Sequence, residues 1–284
     1  RKIAIVAKAE TSAAKRIVRQ AAKLAEAAGL HPVTDENTAT LGKLNIPIRK
    51  NPLAISRLAD LIMVFGGDGT MLHWARSTAG SGTPIFGVNI GGLGFLTAVS
   101  WKDLSKAMNA VAAGKFSIES RTLLSATGQT CQGQFKLKAM NDFVISRGSV
   151  PRMIRLEVKV DGEVLTTYRC DGLVISTSTG STAYSLAAGG AILAPEAKVI
   201  SITPICPHTL SNRAVIINHQ STVEVRMLDR KREANLSADG WDCLEIESPV
   251  IIRRNQQSVK LARLTDSSFF KTLRHKLQWM GSHS

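Results

Sequence analysis

The first 116 residues alternate between short apolar runs and segments of helical spacing. Residues 2–7, 61–65 and 84–88 are mostly apolar and of strand length, which indicates buried strands. Apolar positions recur with helical period over residues 11–28, with Thr11 or Ser12 as the N-cap and Gly29 as the stop. Strands that alternate with helices predict β/α/β units in a parallel sheet, whose ligands bind at the carboxyl ends of the strands.

The same half contains less regular segments. Residues 31–34 are short enough for a second strand, whereas residues 35–52 have weak periodicity and several breakers and are interpreted as a long loop. Residues 100–103 resemble a capping box and predict a helix that ends at Gly114.

From residue 117 the pattern changes to strands separated by turn residues. Asp161-Gly162, which stands between two apolar residues, is a strong two-residue hairpin signal. Further strands are predicted over residues 122–127, 135–139, 143–146, 154–160, 172–176, 199–203, 222–227, 242–247 and 250–253. Residues 267–279 return to helical spacing with Phe270, Leu273, Leu277 and Met280 on one side, and we expect this helix to pack on the first half.

The predicted fold class is therefore an α/β N-terminal domain with a parallel sheet, followed by a β-rich C-terminal domain. The expected division is residues 1–116, completed by the C-terminal helix at 266–284, and residues 117–265. A chain of 284 residues has room for two such domains.

Composition narrows the class of protein. Apolar residues make up 44% and charged residues 20%, as in an ordinary globular protein without a bilayer-spanning apolar run. Four widely spaced cysteines without a C-x-x-C pair argue against a zinc site and a disulfide framework, and favour a cytoplasmic protein. The net charge of +14 indicates either an anionic partner or a solvated basic surface. Only 5% aromatic residues argue against nucleic acid, and we expect no membrane partner.

The most informative stretch follows the second apolar run. Gly66-Gly67-Asp68-Gly69-Thr70 joins a predicted strand to a predicted helix, and a glycine turn before a helix N-terminus is suited to holding phosphate. A carboxylate in that turn suggests phosphoryl transfer, either by contacting Mg²⁺ through water or by taking a proton from an attacking hydroxyl. The alternative is a strand-to-helix turn that serves only turn chemistry.

The β-rich half contains two polar constellations. Residues 171–184 pass from a strand into a Ser/Thr/Gly turn, and Asn141-Asp142 places an amide beside a carboxylate that could bind the hydroxyls of a ribose. Taken alone, the first is better interpreted as an ordinary hydroxyl-capped turn. The second is also consistent with a solvent turn, in which Asn-Asp is common. Arg152 and Arg169 could add charge contacts, and His73 could touch phosphate from the first helix after the glycine turn.

Taken together, these segments resemble the ATP-NAD kinase family, in family order and over most of the chain. The first motif is shared with lipid kinases and 6-phosphofructokinases, whereas the stretches TGSTAY and CPHTLSNR are far more specific. The matching segments are residues 66–70, 91–97, 141–142, 177–190 and 204–213.

The resemblance implies transfer of phosphate from ATP, or from polyphosphate, to the adenosine ribose 2′-hydroxyl of NAD, with Mg²⁺ or Mn²⁺, in a homodimer or homotetramer. It makes Asp68 the proton acceptor and assigns no protein side chain as a direct metal ligand. The phosphate turn would comprise Gly66, Gly67, Gly69 and Thr70, with His73 beside it. NAD would be bound by Asp68, Gly69, Asn141, Asp142, Arg152, Arg169, Asp171, Thr182, Ala183, Tyr184, Ser185, Leu186 and Ala187.

Some positions depart from the family pattern. Ser178 and Ala214 stand where proline is usual, and Trp241 stands where a polar residue is usual. His73 replaces a residue that is often Arg or Lys, and Asp142 replaces the more frequent Glu. Two other interpretations remain: a diacylglycerol-type lipid kinase, which would not need the TGSTAY stretch, and a non-catalytic nucleotide sensor, against which an intact Asp68 argues.

Overall fold

Two units with separate cores make up the chain. The computed structural model describes residues 1–8, 12–92, 94–149, 152–209, 211–229, 233–265 and 267–279. The first unit comprises Arg1–Ser120 and the chain from Val259, and the second comprises Arg121–Ser258. The domain limits predicted from the sequence stay a prediction.

The first unit is built on a parallel sheet with the strand order β2-β1-β3-β4. Its strands are β1 (Lys2–Ala7), β2 (His31–Thr34), β3 (Leu61–Gly66), β4 (Ile85–Asn89) and β5 (Val99–Ser100). Its helices are α1 (Ser12–Ala27), α2 (Glu36–Gly42), α3 (Pro52–Leu58), α4 (Asp68–Ser77), α5 (Leu104–Ala112) and α7 (Phe269–Lys276). All residues of β3 and β4 are buried, because helices cover both faces of a parallel sheet.

The loop predicted for residues 35–52 is wrong over its first half, where α2 forms. Asp35 caps this helix by accepting a hydrogen bond from the N–H of Thr38 at 2.7 Å. The Thr38 hydroxyl in turn accepts one from the N–H of Ala7 at 2.8 Å, at the end of β1. A helix of seven residues is marginal alone, and these contacts stabilise it where periodicity is weak.

The second unit contains two antiparallel sheets that share one core. Phe143, Ile175, Leu156 and Val225, from both sheets, are buried in that core. One sheet has the strand order β13-β12-β11-β8-β15-β16. In the other sheet, the strands β10, β9, β14 and β17 are neighbours in that order. Strand β6 pairs with both β17 and β7. The start of β6, before Arg121, and the end of β17, from Val259, belong to the first unit. The bounds are β6 (Phe116–Thr130), β7 (Gly133–Ala139), β8 (Asp142–Arg147), β9 (Ile154–Val160), β10 (Glu163–Cys170), β11 (Gly172–Thr177), α6 (Tyr184–Ala187), β12 (Val199–Ile205), β13 (Val215–Asn218), β14 (Val223–Met227), β15 (Ala234–Ala238), β16 (Cys243–Glu245) and β17 (Glu247–Leu264).

The hairpin predicted at Asp161-Gly162 is confirmed. Both residues have positive φ, 53° and 88°, as the turn between β9 and β10 requires. Strands β13 and β15 lie outside the predicted strands. β13 is only four residues long, although three of them are β-branched, and β15 contains no β-branched or aromatic residue.

The fold class is thus confirmed: a mostly parallel α/β unit and a β-rich unit. The predicted face of the C-terminal helix is partly wrong. Leu273 is buried, but Phe270 is 61% exposed, and the aromatic contact is made by Phe269, which lies 6.4 Å from Phe95 between ring centroids. Thr11, Leu93 and Met280 lie outside the described residues.

Candidate active site

The glycine turn predicted to hold phosphate lies between β3 and α4. Gly67 is the N-cap of α4 with extended backbone and no side-chain capping bond, and the first helical hydrogen bond runs from the N–H of Met71 to the carbonyl of Gly67 at 3.1 Å. The N–H groups of Asp68, Gly69 and Thr70 therefore have no partner within the helix. An N-terminus of this kind attracts anions through its N–H groups and its dipole.

Gly66 and Thr70 close this turn tightly. A Cβ atom at position 66 would overlap the Thr70 side chain, which folds back over the end of β3. Gly67 and Gly69 have open space where a side chain would be, so a ligand can approach their backbone closely.

The Asp68 carboxylate is held by the backbone of the second glycine-rich turn. The N–H of Phe95 donates a hydrogen bond to Oδ2 at 2.8 Å, and that of Leu96 donates one to Oδ1 at 3.0 Å. A Cβ atom at Gly94 would overlap the same carboxylate. Asp68 is half-buried, so a fixed carboxylate is presented at the start of α4.

Asn89 and Thr97 organise the inside of that second turn. The Asn89 amide donates to the carbonyl of Gly92 at 2.6 Å and to the Thr97 hydroxyl at 3.3 Å, and this hydroxyl accepts the N–H of Gly94 at 3.2 Å. Both side chains are buried. Within the described residues, the Oδ1 atom of Asn89 is buried without a hydrogen-bond partner.

The oxygens of Asp68 and Asn89 are the candidate ligands for the divalent metal that the sequence resemblance implies. In the described part of the chain, no three His, Cys, Asp or Glu side chains lie close enough to share a metal ion. Asp68 and the unpaired oxygen of Asn89 lie at the carboxyl ends of adjacent strands, because Asn89 pairs in register with Gly66. One carboxylate with a neutral oxygen fits Mg²⁺, which usually keeps waters and takes its other ligands from substrate phosphates.

His73 lies one turn into α4 in a basic environment, with part of its ring covered and the rest exposed to solvent. Burial and the charges of Lys8 and Arg76 lower its pKa, with Asp35 opposing them. Since its ordinary pKa is 6.5, His73 is mostly neutral at neutral pH.

In the second unit, the Asn141-Asp142 turn is held by a residue that sequence reasoning missed. The carboxylate of Asp239 accepts hydrogen bonds from the N–H groups of Met140 at 2.9 Å, Asn141 at 2.7 Å and Asp142 at 3.2 Å. The N–H of Asp239 donates back to the carbonyl of Asp142 at 3.0 Å.

The same arrangement changes the acidity of Asp142. Its side chain is buried, and this burial, with the negative charge of Asp239 as a second cause, raises the pKa of Asp142 to about 7. Asp239 and Gly240 both have positive φ, 52° and 72°. An Asp-Gly pair between two strands was the available signal for this residue, of the same kind as Asp161-Gly162.

The Ser/Thr/Gly turn after β11 lies against the Asn141-Asp142 turn. The N–H of Thr177 donates to the carbonyl of Asn141 at 2.8 Å, and the Thr177 hydroxyl donates to the carbonyl of Met140 at 2.6 Å. A Cβ atom at Gly180 would overlap the backbone of Asn141. The structure therefore brings together the two polar constellations that the sequence singled out.

The residues after this turn differ in what they expose. Tyr184 is 47% exposed, whereas Ser185 is fully buried, with its hydroxyl 3.1 Å from that of Thr203. Thr182, Ala183 and Leu186 are half-buried and Ala187 is exposed.

Arg152, Arg169 and Asp171 lie elsewhere in the second unit. Ser176 pairs with Asp142 at one end of β11, whereas Asp171 precedes the other end, about 17 Å away at ~3.3 Å per residue. Asp171 forms an ion pair with Arg147 at 3.2 Å. Arg169 lies near the end of β10, next to Asp171 in the chain. Arg152 lies just before β9, whose first residue pairs with the last residue of β10. Both arginines are therefore on the Asp171 side of the unit, away from Asp142.

Comparison with known proteins identifies the family of this chain. Residues 3–116 match the ATP-NAD kinase N-terminal domain, and residues 140–264 match the ATP-NAD kinase C-terminal domain. The chain belongs to the ATP-NAD kinase family. The resemblance drawn from the sequence is confirmed, and with it the assignment to a family of ATP-dependent kinases.

Relatives and solved structures agree with this membership. The NAD kinase of Geobacter metallireducens is 36% identical over 98% of this chain and 99% of its own length, and that of Desulforamulus reducens is 44% identical over 77% of each chain. Yeast NADH kinase, solved with NADH, has a TM-score of 0.88 and 25% identity, covering 100% of this chain and 89% of its own.

A second solved structure supports the fold alone. The NAD kinase from Archaeoglobus fulgidus, solved with ATP, has a TM-score of 0.77 and 22% identity, covering 99% of this chain and 100% of its own. Within the described residues, no helix is both long enough and apolar enough to cross a membrane.

Proposed function

We propose that this chain transfers the γ-phosphoryl group of ATP to the 2′-hydroxyl of the adenosine ribose of NAD, forming NADP and ADP. The observation that carries the proposal is the Asp68 carboxylate, fixed by two backbone N–H groups at the start of α4 in a chain of the ATP-NAD kinase family. Phosphoryl transfer depends mainly on positioning and charge stabilisation, with one carboxylate to orient the nucleophile.

Asp68 acts as the proton acceptor in this reaction. The ribose oxygen forms a bond to the γ-phosphorus, the bond between that phosphorus and the bridging oxygen of ADP breaks, and the hydroxyl proton passes to Asp68. Because two N–H groups already hold its oxygens, the carboxylate meets the hydroxyl in one orientation. The turn of Gly66, Gly67, Gly69 and Thr70 receives the transferring phosphate at the helix N-terminus.

NAD is held chiefly by the second unit. Asn141 and Asp142 bind ribose hydroxyls, and the exposed ring of Tyr184 offers a surface for stacking a base. Thr182, Ala183, Leu186 and Ala187 line the same segment, and Ser185 supports it from within through Thr203. Asp68 and Gly69 contribute from the glycine turn.

Arg152, Arg169 and Asp171 contribute to NAD binding from a second copy of the chain. About 17 Å of strand separates Asp171 from the end of β11 beside Asp142 in one chain, which is too far for both to contact one ribose. This proposal requires a homodimer or homotetramer in solution. Light scattering of the active enzyme tests it, and a fully active monomer would refute it.

A divalent cation, Mg²⁺ or Mn²⁺, would be held by the unpaired oxygen of Asn89 and, through water, by Asp68, with donor phosphates as its other ligands. When bound, it supplies neutralisation of the charge on the phosphates. ATP is the proposed donor, with polyphosphate as an alternative, and the enzyme acts in the cytoplasm without a membrane or nucleic acid partner.

The test is NADP formation from NAD and ATP with Mg²⁺, for the wild type, Asp68→Asn and Asp60→Asn. Asp60 is a matched control because its carboxylate also accepts a backbone N–H, from Lys2 at 2.8 Å. We expect kcat to fall by about 10²–10⁴-fold in Asp68→Asn and to stay near the wild-type value in Asp60→Asn.

The outcomes separate the parts of the proposal. Equal rates in all three proteins would remove Asp68 as the proton acceptor and leave the kinase activity. No NADP from the wild type with ATP or polyphosphate would refute the function, and phosphorylation of diacylglycerol in its place would favour a lipid kinase.

A further inference from the structure

Arg263 lies near the end of β17, and its guanidinium contacts the turn that holds Asp68. Nη2 donates a hydrogen bond to the carbonyl of Phe95 at 2.7 Å, and Nη1 donates one to the carbonyl of Thr97 at 2.7 Å. Its side chain is only 11% exposed. Two short bonds from one planar group fix two carbonyls of a segment that is neither helix nor strand.

One peptide group joins Arg263 to Asp68. The carbonyl of Phe95 and the N–H of Leu96 belong to the same peptide: Arg263 donates to the carbonyl, and the N–H donates to Oδ1 of Asp68 at 3.0 Å. A cation on the carbonyl polarises the peptide and makes its N–H a stronger donor. A single peptide group therefore transmits the polarising effect of the Arg263 charge to the Asp68 carboxylate.

Arg263 also complements the buried side of the turn. Asn89 and Thr97 hold the turn from within through the carbonyl of Gly92 and the N–H of Gly94. Neither of these hydrogen bonds involves the carbonyls of Phe95 and Thr97. Arg263 is the donor to both carbonyls.

The ion pair of Arg263 with Glu119 does not account for this placement. Nε of Arg263 lies 3.7 Å from Oε2 of Glu119, whose side chain is 43% exposed. A long, partly solvated ion pair contributes little stability. The hydrogen bonds from Arg263 to the carbonyls of Phe95 and Thr97 are shorter and more buried. The peptide whose carbonyl belongs to Phe95 also donates a hydrogen bond to the Asp68 carboxylate.

We infer that Arg263 is a positioning residue for phosphoryl transfer, which orients the Asp68 carboxylate through the backbone of residues 95–97. This inference rests on the proposed function of Asp68. Because Asp68 takes the proton as the new bond forms, an error in its orientation should reduce kcat more than it changes the KM for NAD or ATP.

The test compares Arg263→Gln and Arg263→Lys with two controls. Arg253→Gln removes an exposed arginine from the same strand, and Glu119→Gln removes the ion pair while leaving the carbonyl bonds. We expect kcat to fall about 10–100-fold in Arg263→Gln, with each KM changed less than about threefold, and less in Arg263→Lys, which keeps the charge. Both controls should stay near the wild type.

A double mutant separates positioning from general damage to the fold. In the Asp68→Asn background, Arg263→Gln should cause almost no further loss of kcat, since the carboxylate it orients is gone. Losses that multiply would overturn the inference, as would equal losses in Glu119→Gln and Arg263→Gln. If Arg263→Gln does not fold, as judged by circular dichroism, Arg263→Lys with and without Asp68→Asn gives the same comparison.

These results stay distinct from those that bear on the proposed function. A wild type that makes no NADP refutes the function itself. A wild type that makes NADP, beside an Arg263→Gln variant with unchanged kcat, refutes only the positioning role.

Discussion

Gly94 lies so close to Asp68 that a Cβ atom on the glycine would overlap Oδ1 of the carboxylate. The two residues belong to separate glycine-rich turns, at the carboxyl ends of β3 and β4. The lack of a side chain at position 94 lets the N–H groups of Phe95 and Leu96 reach Asp68. The second turn is therefore a backbone cradle for the first.

Gly94→Ala should lower kcat by at least about tenfold, because the methyl group displaces the carboxylate from its two donors, and tenfold corresponds to only ~1.4 kcal/mol. Gly94 is not among the described glycines with positive φ, so the effect is contact rather than backbone strain. Steady-state kinetics of NADP formation measures it. Gly92→Ala is the matched comparison, because a Cβ atom there would meet no other atom within 4 Å, and its loss should be much smaller. Equal losses in the two variants would contradict the cradle.

The KM for NAD should fall as the pH rises through about 7. Burial and Asp239 raise the pKa of Asp142 from an ordinary 3.8 to about 7, so its carboxyl is mainly protonated below that pH and ionised above it. In the proposed function the ionised form accepts hydrogen bonds from ribose hydroxyls, so we expect binding of NAD to improve as the proton leaves. Steady-state kinetics at a series of pH values on either side of neutrality would reveal the midpoint. Asp142→Asn should flatten the profile, and a variant that kept the wild-type midpoint would show that another group titrates.

Asp239→Asn should move that midpoint to lower pH. The substitution removes the negative charge that helps to raise the pKa of Asp142, and it weakens the bonds to the N–H groups of residues 140–142. We expect a higher KM for NAD, by about threefold to tenfold, for the loss of a charged acceptor.

Asp161→Asn is the control for Asp239→Asn. Asp161 has φ 53° beside 52° for Asp239, precedes a glycine in a hairpin, and accepts the N–H of Thr222 at 2.8 Å. The Asp161→Asn substitution should leave the midpoint of the pH dependence of the KM for NAD unchanged. A shift of equal size in both variants would contradict a specific role for Asp239.

His73→Arg should lower the KM for ATP several-fold at neutral pH. Burial, Lys8 and Arg76 lower the pKa of His73, so the wild-type imidazole is mostly neutral there, and arginine would add a permanent charge near the phosphate turn. His31→Arg is the control, because His31 starts β2 at the opposite end of the parallel sheet from the turn. An unchanged KM for ATP in His73→Arg would show that residue 73 does not interact with the phosphates of ATP.

Local sequence signals were sufficient for much of the fold. The strand, glycine turn and helix around Asp68 follow from an apolar run, a glycine pair and a helix start that are close together in the chain. The hairpin at Asp161-Gly162 follows from two residues that accept positive φ. Helix α2 was missed because its stability comes from the Asp35 cap and the contact of Thr38 with Ala7, and neither produces periodicity.

By itself, the sequence determined the α/β and β-rich classes, the glycine turn between β3 and α4 and the family, since each depends on residues that are neighbours in the chain or on motifs in a set order. Only the tertiary structure decided what holds the candidate catalytic and ribose-binding groups. Asp239 reaches Asn141 across 98 positions of the chain, and Arg263 reaches Phe95 across 168. Hydrogen bonds over such separations depend on which strands pair and in which register, and no local pattern of apolar and polar residues records that choice.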